Sequence, residues 1–157
     1  PFWGRPARLA LQHLPMLKTV DYPLLGLAER RQIETTVPRA QPVWKLYTTG
    51  AAGSQGLVGQ PMIHRLSQIS GVSVWPFVAP TTPVLLAEVY PSLLAAAVTA
   101  DTAPIKDEAQ VRLLSRALYR LAQQDLSPLL TTPAQATEEG WILGASQQAA
   151  LLQALGR

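Results

Sequence analysis

Glu88 is the one charge inside the apolar run Val84-Leu85-Leu86-Ala87-Glu88-Val89-Tyr90, which Pro83 and Pro91 bound. A branched, apolar run of that length reads as a buried strand of an α/β sheet. Period two then places Glu88 on one face with Val84, Leu86 and Tyr90. A lone ionised carboxylate in such a place costs on the order of several kcal/mol, so a cation, a set of donors or open solvent must compensate it. Asp107 stands at the start of the best amphipathic helix of the chain and falls on its apolar stripe when residues are set about 100° apart. Oxygen ligands that converge at the carboxyl end of a strand suit hard divalent cations. A pair of such ions about 3.5 to 4 Å apart activates water and stabilises the leaving oxygen in phosphodiester cleavage. Glu88 and Asp107 are therefore the candidate catalytic residues and metal ligands, and Mg²⁺ or Mn²⁺ is the expected cofactor. Each has a structural alternative. Asp107 reads equally as an N-cap, with Gln110 completing a capping-box-like pair. Glu88 reads as an acid hydrogen-bonded to backbone or to an arginine.

A second group of residues concerns substrate. Lys45, facing opposite to Trp44, and Ser54 and Gln55 in the loop Gly50–Gly56 are the candidate substrate-binding residues. The loop runs from a strand pattern into a helix pattern, so its amides could face an anion. It has no Lys-Ser or Lys-Thr after the glycines and is not GxGxxG, which leaves Ser54 as a helix cap for the structural reading. Arg112, Arg116 and Arg120 form a row on one side of their helix, suited to phosphates or to water. Trp44, Trp75 and Trp141 read as core, and no serine near glycine has the nucleophile-elbow pattern.

The elements that must position these residues follow from periodicity. Val43–Tyr47 and Val72–Phe77 read as strands, with the Glu88 run as a third. Helices are expected around Leu24–Gln32, over about Leu57–Ser67, over Ser92–Val98, from about Asp107 with the stripe Val111, Leu114, Leu118, Leu121 and Ala122, and at the end over Ala149–Leu155. Prolines at positions 1, 6, 15, 23 and 38 interrupt any pattern in residues 1–40, which should be irregular. Two or three strands are too few for a free-standing covered sheet. The first strands should then be missing from this chain or come from a partner chain that completes the sheet.

Composition narrows the class. The 157 residues are 48% hydrophobic and 15% charged, enough for a single domain with its own core over residues 1–157. The absence of cysteine excludes disulfides, thiolate catalysis and zinc-thiolate sites. No apolar stretch reaches 18 residues and the start is not a signal peptide, so a cytoplasmic protein with no membrane partner is expected. The net charge of +3 permits an anionic ligand without demanding nucleic acid.

The segments Val43-Trp44-Lys45-Leu46 with Gly53-Ser54-Gln55, Val74-Trp75-Pro76-Phe77, Ala87-Glu88-Val89-Tyr90-Pro91-Ser92, Ile105-Lys106-Asp107-Glu108-Ala109-Gln110 and Glu139-Gly140-Trp141-Ile142-Leu143-Gly144 resemble the C-terminal half of a bacterial family of unknown function. Its members are similar to predicted RNase H-like nucleases and are sometimes labelled cobalamin or molybdenum-cofactor biosynthesis proteins. The resemblance covers most of residues 43 to 145. It implies a partial RNase H-like α/β fold, few strands covered by helices, in which Glu88 takes the later-strand metal role and Asp107 the helix role. The first strand and its aspartate have no counterpart here, and Gln110 and Val111 stand where related nucleases often offer another acid. Metal-dependent phosphodiester hydrolysis, inactive in a fragment of this kind, is the leading expectation, with nucleic acid as partner. A non-catalytic binding or accessory module of the same fold is the alternative, and an enzyme on a small phosphorylated or nucleotide-like substrate is a third.

Overall fold

A computed structural model describes residues 1–156 of the chain. Contacts divide it into two compact units, Pro1–Val72 and Ser73–Arg157, where one domain over residues 1–157 is the sequence expectation.

The first unit begins irregularly, as its prolines dictate. No helix forms over Leu24–Gln32. Pro23–Leu25 is a single 3₁₀ turn that Gly26 ends with a left-handed φ of 63°, and a short helix α1, Gln32–Thr36, follows. Tyr22, Ile33, Val37 and Ala40 form the core of this unit. Trp44 closes it, with its ring 5.4 Å from Phe2 and 5.8 Å from Tyr22 and its indole N–H donating to the Ala28 carbonyl at 2.9 Å. Val43–Tyr47 is not a strand. It makes one isolated parallel bridge, Trp3 to Lys45, through Trp3 N–H to Trp44 O and Leu46 N–H to Trp3 O. Gly4, with φ of 92°, bends the partner segment away before a ladder can extend.

Helix α2, Gly53–Ser67, starts four residues before the expected Leu57. Its first residue has to be glycine: a Cβ at Gly53 would lie 2.6 Å from the Lys45 carbonyl oxygen and overlap that of Val43, and the Gly53 N–H donates to Lys45 O at 3.2 Å. Of the fifteen residues of α2, all described, Gly53 is the buried one. The rest of the helix has poor intrinsic propensity. Gly56, Gly59 and Pro61 together disfavour it by about 5 kcal/mol relative to alanine.

The second unit holds the sheet. β1, Val72–Val74, and β2, Val84–Leu86, pair in parallel, and the first residue of β1 is the last of the first unit. The apolar run around Glu88 is thus a three-residue strand and not a seven-residue one. Past Leu86 its backbone leaves β1 and makes an isolated parallel bridge, Glu88 to Ile142, with Leu143 N–H donating to Glu88 O at 2.9 Å. A 3₁₀ turn, Pro91–Leu94, leads into α3, Ala95–Thr99, close to the expected Ser92–Val98. α4, Lys106–Ala122, is the organising element. It packs against α3, the 3₁₀ turn before it and the terminal helix α6, Gln148–Leu155, while α5, Ala136–Glu139, is a single turn. The buried face of α4 is Ala109, Leu113, Leu114 and Ala117. Val111 is 65% exposed and Ala122 is also exposed, so the packed face lies about 110° round the helix from the stripe read off the sequence. Two alanines in this face, Ala109 and Ala117, let neighbouring elements approach closely, which hydropathy by itself does not reveal. Leu93, Leu94, Val98, Leu129, Trp141, Ile142, Leu151 and Ala154 complete this core. Among the described residues no helix is long and apolar enough to cross a membrane.

Candidate functional site

Glu88 and Asp107 both belong to the second unit, on different supports. Glu88 is held by its main chain at Ile142, and its side chain is exposed rather than buried in a sheet face. Val84, on the same face by period two, is 48% exposed, so the surroundings are not the dry ones a central strand would supply. Asp107 is exposed in the first turn of α4. It is not the N-cap, which is Ile105 without a side-chain cap bond, so no capping box forms with Gln110. The carboxylates of Asp107 and Glu108 instead lie where the positive end of the helix dipole favours them. Magnesium keeps most of its waters and accepts one or two carboxylates, a donor set that exposed acids of this kind can supply. Among the described residues no group of three or more His, Asp or Glu side chains is placed to hold a metal ion.

The arginine row on α4 is put to structural use. Arg112 bonds both carboxylate oxygens of Asp101 through Nη2, at 2.6 and 2.7 Å. The Ala103 amide and then this guanidinium hold the Asp101 carboxyl below its usual range. Arg120 donates from Nη1 to the Ala154 and Leu155 carbonyls, at 2.8 and 3.1 Å. It thereby caps the C-terminal end of α6, where a cation is favoured by the helix dipole. Arg116 is exposed.

Lys45, Ser54 and Gln55 are brought together in the first unit, at the start of α2. The Lys45 ammonium is engaged by its own loop, donating to Gln41 Oε1 at 2.9 Å and to the Thr49 carbonyl at 3.1 Å, and it lies 5.8 Å from the Trp3 ring centroid. Ser54 does not cap the helix. The cap position is Ala52, and the Ser54 hydroxyl donates to Gln55 Oε1 at 3.2 Å from within the first turn. Two shallow recesses lie elsewhere. One, of about 590 Å³, is lined by residues including Lys18, Asp21, Tyr22 and Glu29, and it is crossed by the exposed Lys18–Glu29 ion pair. The other, of about 530 Å³, lies against Arg120, Asp125 and Gln153. Neither contains Glu88, Asp107, Lys45, Ser54 or Gln55.

Two features escaped the sequence reading. The buried acid is Glu34, 4% exposed, whose carboxylate accepts from Arg31 Nε at 2.8 Å and from the Arg31 amide at 3.2 Å. The Arg-x-x-Glu spacing at i,i+3 was its only signal in the sequence. The other is the open apolar face of α2. Val58 is 80% exposed, Met62 and Ile69 each 54%, and Leu57 48%. Spacing offers Leu57, Ile63 and Leu66 as the inner face of this helix, yet Leu57 and Ile63 are exposed as well. No family model, curated protein or solved structure matches the chain.

Proposed function

We propose that the chain is a non-catalytic binding module of mixed helix and strand that engages a macromolecular partner through the open face of α2. The observation that carries this reading is a helix of low intrinsic propensity whose large apolar side chains stay in water. Contiguous exposed apolar surface of this kind marks interaction sites, and a helix that packs so little needs contacts from outside to persist. The competing proposal is metal-dependent phosphodiester hydrolysis on an RNase H-like fold, with Glu88 and Asp107 holding Mg²⁺ or Mn²⁺. It calls for inward carboxylates beside a groove, whereas both are exposed.

The test is incubation with Mn²⁺ and single-stranded or duplex oligonucleotides, run beside Glu88→Gln and Asp107→Asn. The binding reading expects no cleavage above the variants and no change in melting temperature on adding Mn²⁺. Cleavage that needs Mn²⁺ and disappears in both variants would overturn it.

A further inference from the structure

We draw no further inference here: the strongest candidate, the apolar face that Val58 and Met62 leave open along α2, is an unpartnered surface, and nothing in the structure shows what covers it.

Discussion

The buried acid is Glu34, to which no sequence pattern drew attention, while Glu88, expected in a dry sheet face, is exposed. Burial requires that an acid be paired, and Glu34 is paired twice by Arg31 while its own side chain is almost fully enclosed. Glu34→Ala leaves Arg31 without that partner in a half-enclosed site and should cost about 3 kcal/mol, measured as a lower urea midpoint for the first unit by Trp fluorescence. Asp101 gives a pH dependence. Its carboxyl is held below the ordinary aspartate value by the Ala103 amide and Arg112, so its stabilising effect is complete above that value, about pH 4, and is lost as the pH falls through the lower folded-state value. Thermal melts from pH 6 to 2 should show a steeper acid decline in the wild type than in Asp101→Asn. Why Glu88 misled is physical. The run around it is as apolar as a central strand, and what turns it outward is a bridge to Ile142, a contact too distant in sequence for local pattern to reveal.

Elements with a long local period were legible. α4, α6 and the body of α2 form within a few residues of where hydrophobic spacing and glycine placed them. Strands were not: the Val43–Tyr47 alternation meets a single bridge and the Glu88 run pairs over three residues, because a strand exists only where another chain segment accepts its hydrogen bonds. Within α2 two glycines separate packing from propensity. Gly56→Ala enters open space and should stabilise the helix by about 1 kcal/mol. Gly53→Ala drives a methyl into two carbonyls and should destabilise it, each read by circular dichroism melts. Arg120 ties α4 to the end of α6, and Arg120→Ala, by removing charge-assisted bonds to two carbonyls, should cost about 2 kcal/mol. Arg116→Ala on the same face should cost little.

Across the whole chain, charge is partitioned with the units. Residues 1–72 carry eight Lys or Arg against three Asp or Glu, and residues 73–157 five against seven. An anionic ligand is therefore drawn to the first unit, the one that also bears the open apolar face. Mild overall charge hid this split, as overall composition hid the division into two compact units. The units also differ in how their helices are held. α4 is packed against α3 and α6, whereas α2 is seated by Gly53 at one end and meets water along most of its length. Local opening is cheapest where few apolar contacts must break. Amide protons of α2 should therefore exchange for deuterium well before those of α4, slowest near Leu57 and progressively faster towards Ser67, as in a beam clamped at one end.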